Sequence, residues 1–164
     1  MELSVFISWS GNKGLALADQ LSNWLPSIVP SVRAFYSPDL KGGFVWLQSL
    51  LNELKNAQFG IVCLTPDNLN SPWLNFEAGA LWKTAGKQVP VCPVLLNVRI
   101  DQIKGPLAFF QAKKFSKGPM AELCQEIAKR AKFDSTRTSQ NFLAAWPRLV
   151  EGVREDIRMQ RGSK

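Results

Sequence analysis

The stretch Phe59-Gly60-Ile61-Val62-Cys63-Leu64-Thr65 carries no polar side chain before its last residue. A strand covered by helices on both faces reads this way, because neither face meets water. Residues 66–71 then turn polar, and Ser71-Pro72 pairs an N-cap with a proline at the first helical position, so a helix is expected from 71 to about 85. On the upstream side, residues from about 44 to 55 also read as a helix. The run at 59–65 is therefore expected to be a central parallel strand between two helices.

The same alternation extends in both directions. Residues 3–9 are a buried strand. Gly11 to Gly14 then open an amphipathic segment with Leu15, Ala18, Leu21 and Leu25 at helical spacing. Pro26 and Pro30 are expected to close that helix, and residues 32–36 to form a second strand. Residues 89–96 read as the fourth strand, with Pro90 and Pro93 placed where some donors go unpaired. A fifth, short edge strand is expected within 109–115, a helix over about 118–131, and a last helix over about 139–159 whose apolar side holds Phe142, Trp146, Leu149, Val150 and Val153. Strands alternating with helices indicate a flavodoxin-like, doubly wound five-stranded parallel sheet in the order 2-1-3-4-5. In that order the chain reverses direction between strands 1 and 3, and ligands lie in the crevice beyond the carboxyl ends there. The loops of interest are 8–14, 36–44 and 65–77.

The length, 164 residues, suits one domain with a proper core, here taken as 1–131 plus the C-terminal helix. Hydrophobic residues make up 46% and charged residues 20%, and no apolar run approaches the roughly 20 residues that cross a bilayer. The N-terminus enters a strand directly, without the basic region and cleavage site of a secretory signal, so a cytoplasmic protein is expected. Cys63, Cys92 and Cys124 sit among apolar neighbours, which argues against a disulfide or metal framework. The chain has no histidine, which removes the commonest general base and the commonest zinc ligand. Any chemistry must run on carboxylates, lysines or backbone dipoles. The net charge of +7 comes from the last third: residues 113–164 hold twelve Lys/Arg against six Asp/Glu, and residues 1–112 hold eight against seven. In that last third the bases are interleaved with acids, as in Arg148, Glu151, Arg154, Glu155 and Arg158, the pattern of a solvated helix face rather than of a nucleic-acid site.

From Asn68 to Trp82, Glu77 is the only ionisable side chain, set among Trp73, Phe76, Ala78, Gly79, Ala80 and Leu81. A lone carboxylate in such company is expensive to bury unless a charged or hydrogen-bonding group meets it. Stabilisation by the helix N-terminus fades beyond the first turn, and Glu77 falls in the second; an orientation toward solvent stays open as a plainer account. Trp73 and Glu77 are four apart and share a helix face. The turn Ser8-Trp9-Ser10-Gly11-Asn12-Lys13-Gly14 opens a helix whose backbone N–H groups suit a phosphate, although it matches neither a Rossmann nor a P-loop pattern. Lys41, Gly42 and Gly43 add a cation and a permissive backbone in the loop after strand 2, which a plain turn would also explain. Ordinary glycosides need two carboxylates, because a poor leaving group must be protonated. A leaving group that is already cationic needs one, to orient the sugar and stabilise charge at its anomeric carbon.

Five segments resemble bacterial TIR (Toll/interleukin-1 receptor) domains. They are Val5-Phe6-Ile7-Ser8-Trp9-Ser10; Ser37-Pro38-Asp39-Leu40-Lys41-Gly42 with Trp46; Gly60-Ile61-Val62-Cys63-Leu64-Thr65-Pro66; Ser71-Pro72-Trp73-Leu74-Asn75-Phe76-Glu77-Ala78-Gly79-Ala80-Leu81; and Gly105-Pro106-Leu107. The fourth is the most specific. The resemblance implies that Glu77 is catalytic with Trp73 beside it, and that NAD+ is the substrate, cleaved at its nicotinamide–ribose bond with no cofactor. It also implies nucleotide contacts from Trp9, Ser10 and Gly11, and from Lys41, Gly42, Gly43, Phe44 and Trp46. Some relatives carry basic residues where this chain has Ser10 and Gly11, so backbone contact with phosphate is expected there. The resemblance further implies head-to-tail homo-oligomers or filaments, and a role in anti-phage defence that depletes NAD+ or makes a cyclic ADP-ribose signal for a separate effector.

Two other readings use the same fold. A nucleoside deoxyribosyltransferase-like enzyme also sets a glutamate on a ribosyl carbon, and a non-enzymatic TIR domain acts only as an interaction module. A phosphorelay receiver is excluded, because it needs an acidic pair after strand 1 and an aspartate ending strand 3, where this chain has Ser8-Trp9-Ser10 and Thr65.

Overall fold

The structure is a computed structural model and describes residues 2–36, 55–72, 74, 79 and 89–162. Five strands, β1 (Leu3–Ser8), β2 (Val32–Tyr36), β3 (Phe59–Leu64), β4 (Val91–Leu95) and β5 (Lys113–Lys114), form one all-parallel sheet in the order β2-β1-β3-β4-β5. This is the flavodoxin-like order expected from the sequence. The described helices are α1 (Gly11–Ile28), α2 (Lys117–Arg130) and α3 (Ser135–Gly162).

Each central strand buries both faces. Val5 and Ile7 of β1, Phe59, Ile61 and Cys63 of β3, and Cys92 and Val94 of β4 join the larger core, with α1, α2 and α3 packed over them. Phe6, Val62, Leu64, Val91 and Leu95 point the other way, into a second core that also holds Leu74, Val98 and Leu107. The two-residue alternation of a strand thus fills two layers from one apolar run. Pro93 is tolerated inside β4 for a specific reason. Gly60 donates to the Pro90 carbonyl and Leu96 donates to the Leu64 carbonyl, so the even residues of β4 face β3 and Pro93 faces the β5 side. There, β5 begins only opposite Val94, so the missing N–H interrupts no ladder bond.

Several expected boundaries move. α1 runs through Pro26 to Ile28. Pro26 lies in the last turn, where it removes one intrahelical bond, and Val29 resumes the pattern by donating to the Leu25 carbonyl, with Ile28 and Val29 fully buried. The buried stripe of α1 passes through Leu17, Leu21, Trp24, Leu25 and Ile28, while Leu15 is only half-buried. α3 starts at Ser135, several residues before the expected start, because Asp134 accepts a hydrogen bond from the Arg137 N–H at 2.8 Å and so caps it. The fifth strand shrinks to Lys113–Lys114. Gly105, with φ of +77°, and Pro106 lead instead into a 3-10 turn, Gly105–Phe109. The expected helix over about 44–55 falls outside the described residues except at its end.

α3 lies along α1 for most of its length. The Trp24 indole donates to the Ala145 carbonyl at 2.9 Å, Asn141 donates to the Ile28 carbonyl at 2.9 Å, and Gln20 donates to Asp156 at 2.8 Å. Trp24, Phe142 and Trp146 pack their rings together between the helices. No helix among the described residues is long and apolar enough to cross a membrane.

Candidate functional site at the β1/β3 crevice

The strand order switches between β1 and β3, where β2 is added on one side and β3 on the other, and the segments leaving the carboxyl ends of these two parallel strands meet there. Pairing of β1 with β3 ends at Ser8 opposite Val62, so the Cys63 carbonyl lies past the last paired residue. Asn68 meets it. Its amide donates to the Cys63 carbonyl at 3.0 Å and to the Ser10 carbonyl at 2.8 Å, and its carbonyl oxygen accepts the Thr65 N–H at 2.8 Å. The side chain is only 4% exposed, so these bonds satisfy buried backbone groups from both segments. Thr65, also buried, donates its hydroxyl to Asp67 at 2.8 Å.

The approach of the two segments depends on two glycines. Gly11 has φ of +76°, in the left-handed region, and a Cβ there would lie 3.3 Å from an Asp67 carboxylate oxygen. At Gly14 a Cβ would lie 3.1 Å from the Asn68 amide nitrogen. Ser10 is the N-cap of α1 by backbone geometry, but its hydroxyl makes no cap hydrogen bond and the first turn holds no acidic residue. The free N–H groups of an 18-residue helix thus open at the crevice, with the partial positive charge of the helix end. Asp67 stands beside them as an acceptor. N–H donors and one carboxylate acceptor thus lie side by side at the crevice.

Two further contacts hold the surroundings. Gln160 of α3 donates to the Asn12 carbonyl at 2.7 Å, tying the start of α1 from outside. Tyr36, at the carboxyl end of β2, donates its hydroxyl to Asp19 of α1 at 3.1 Å. Burial, with that hydrogen bond and the Asp19 charge, raises its pKa, so the phenol stays neutral. All three thiols are buried; burial pushes Cys92 and Cys124 up to about 12 and Cys63 higher still, which leaves no thiolate nucleophile.

Of the residues singled out in the sequence, Trp9, Ser10 and Gly11 come together at this crevice, with Trp9 packed partly against the larger core. Lys41, Gly42, Gly43, Phe44, Trp46, Trp73 and Glu77 lie outside the described residues. In the sequence, Asp67 and Asn68 stand out only as part of the polar connection 66–71. The signal for them is local: Thr65 followed by aspartate and asparagine two and three residues on is the spacing at which such side chains fold back on the backbone.

Residues 5–129, from β1 into α2, match the family model of the TIR domain. The chain belongs to the TIR domain family. A search of curated proteins returns no match. The match takes in β2 to β5, all of β1 from Val5 on, and the crevice, and it stops short of α3, the helix that clamps α1.

Proposed function

We propose that this TIR domain is a cytoplasmic NAD+ nucleosidase in which Glu77 is the catalytic carboxylate. The observation that carries the reading is the isolation of Glu77 as the only ionisable residue between Asn68 and Trp82 in a TIR family member, a few residues after the Asn68 turn. The reaction asks little of acid–base groups. The bond between the ribose anomeric carbon and the pyridinium nitrogen breaks with its electron pair going to nitrogen, so nicotinamide leaves neutral and no proton need be delivered. Positive charge develops on the ribose, and Glu77 stabilises it. Water then adds to the anomeric carbon and loses a proton, giving ADP-ribose, or a nucleophilic atom of the same ADP-ribose adds, shedding its proton if it is a hydroxyl, and gives a cyclic isomer.

Trp73 would wall the carboxylate, Trp9 and the N–H groups after Ser10 would receive the nucleotide, and the Lys41–Phe44 loop with Trp46 would close over it. In this reading residues 1–164 act as one domain, copies assemble head to tail so that one loop completes the next site, and the product serves anti-phage defence directly or through a separate effector. No metal or cofactor takes part.

The test is nicotinamide release from NAD+ by the wild type and by Glu77→Ala, followed chromatographically at high protein concentration with a crowding agent. Loss of about 10²-fold or more is expected in the variant. Equal turnover by the two proteins refutes the role of Glu77. Intact NAD+ with loss of nucleobase from deoxynucleosides points to a deoxyribosyltransferase, and inertness toward both points to an interaction module.

A further inference from the structure

A second cavity opens at the carboxyl edge of the sheet, at the β4/β5 end and away from the β1/β3 crevice. It has a volume of about 500 Å³, within the range of small-molecule sites. Its floor is apolar: Leu96, just past β4, and Phe115, just past β5, meet Val153 and Ile157 of α3. Phe115 is fixed from behind by the Trp146 ring at 5.3 Å. The rim holds donors. Arg154 and Arg158, one helical turn apart on α3, and Asn97 line the mouth, and no carboxylate does among the described residues. Asn97 sits in the left-handed region, with φ of 59°, and its exposed amide makes no hydrogen bond to another described residue.

The arginines have partners, but weak ones. Arg154 pairs with Glu151 at 3.5 Å and Arg158 with Glu155, both at the exposed surface and outside the cavity lining. Exposed pairs of this kind contribute little, and each guanidinium keeps further N–H donors for a second oxyanion. An apolar pocket ending in two guanidiniums and an amide has the chemistry of a head-and-tail ligand.

We propose that this cavity binds a small molecule with an apolar body and a single oxyanion head, the body against Leu96, Phe115, Val153 and Ile157 and the head between Arg154 and Arg158. Four of the seven positions used here, Val153, Arg154, Ile157 and Arg158, lie beyond the matched TIR segment, so the site belongs to this chain's combination of sheet and α3 rather than to the matched segment alone.

The probes are decanoate and decyl phosphate, with decanol, decyltrimethylammonium and inorganic phosphate as comparisons, each titrated calorimetrically and by methyl NMR. Decanoate or decyl phosphate is expected to saturate one site and to shift the methyl signals of Leu96, Val153 and Ile157. The tighter of the two identifies the head as carboxylate or phosphate. Decanol, the cationic probe and inorganic phosphate should each bind about tenfold or more weakly. The double variant Arg154→Gln/Arg158→Gln changes two exposed side chains, and circular dichroism checks that it folds. It should lose about tenfold in affinity for the anionic probes and none for decanol. The proposal is overturned if decanol or the cation binds as tightly as decanoate, if the double variant binds the anions unchanged, if neither anion binds by about 1 mM, or if the shifts fall instead on the exposed Leu143, which lines a separate groove between α2 and α3 with Ala121 and Phe142.

Discussion

Replacing Asn68 tests whether one side chain joins the two halves of the crevice. Asn68→Ala removes the bonds to the Cys63 carbonyl, the Ser10 carbonyl and the Thr65 N–H, at 3.0, 2.8 and 2.8 Å. A hydrogen bond contributes about 1 kcal/mol net, and a buried group left unpaired costs at least as much, so the loss should be about 3 kcal/mol. Asn68→Asp sharpens the test. Its carboxylate can still accept from Thr65, but it turns the other oxygen toward two carbonyl oxygens in a site only 4% exposed. Burial and the facing carbonyls raise its folded-state pKa above the unfolded value, so the variant is best off relative to wild type below the unfolded pKa and loses ground as pH rises through the folded one. Urea unfolding of the three proteins at pH 4 and pH 7 gives the comparison. Asn68→Ala losing under about 1 kcal/mol, or a gap between Asn68→Asp and wild type that does not widen from pH 4 to 7, would refute the reasoning.

Other consequences follow from the same contacts. Gly11→Ala forces a Cβ into a left-handed position against Asp67 and should cost about 1–2 kcal/mol by urea unfolding, whereas Gly11→Asn, which tolerates that conformation, should cost less; equal losses would contradict the left-handed assignment. Trp24→Phe loses the 2.9 Å bond to the Ala145 carbonyl and part of the ring packing beneath α3, for about 1–3 kcal/mol, and a neutral result would show that α3 is not held there. The buried thiols make stability fall at alkaline pH. Unfolded thiols ionise from about pH 9, while folded Cys92 and Cys124 keep their protons to about 12, so each contributes a loss of about 1.4 kcal/mol per pH unit between those values. Cys124→Ala should shift the whole curve and also flatten it by one such increment; an unchanged slope between pH 9 and 11 would show that the thiol is not protected.

The strand order and the face pattern were legible in the sequence because they rest on local signals. An apolar run such as 59–65 can be satisfied only by a strand covered on both sides, and its alternation with helical periods leaves few topologies. Trp9, Ser10 and Gly11 were placed for the same reason, since a strand-turn-helix unit puts its loop at the carboxyl edge. The TIR resemblance was equally a matter of short segments in order, which the family match over residues 5–129 bears out.

What only the tertiary structure decided depends on residues distant in sequence. No periodicity says that Asn68 will hold the Ser10 carbonyl, 58 residues away, or that Gln160 will reach Asn12 across 148. α1 outlasts Pro26 and buries Leu17 in preference to Leu15 because α3 and the sheet offer more apolar contact along that line than a single lost hydrogen bond removes. β5 is two residues long because Gly105 and Pro106 take the chain into a 3-10 turn first. The amino-acid pattern selected the flavodoxin-like sheet and the loops at its carboxyl edge. The packing of α3 and the Asn68 turn then set which backbone groups face one another there, since hydrogen bonds between distant segments form only once the layers have met.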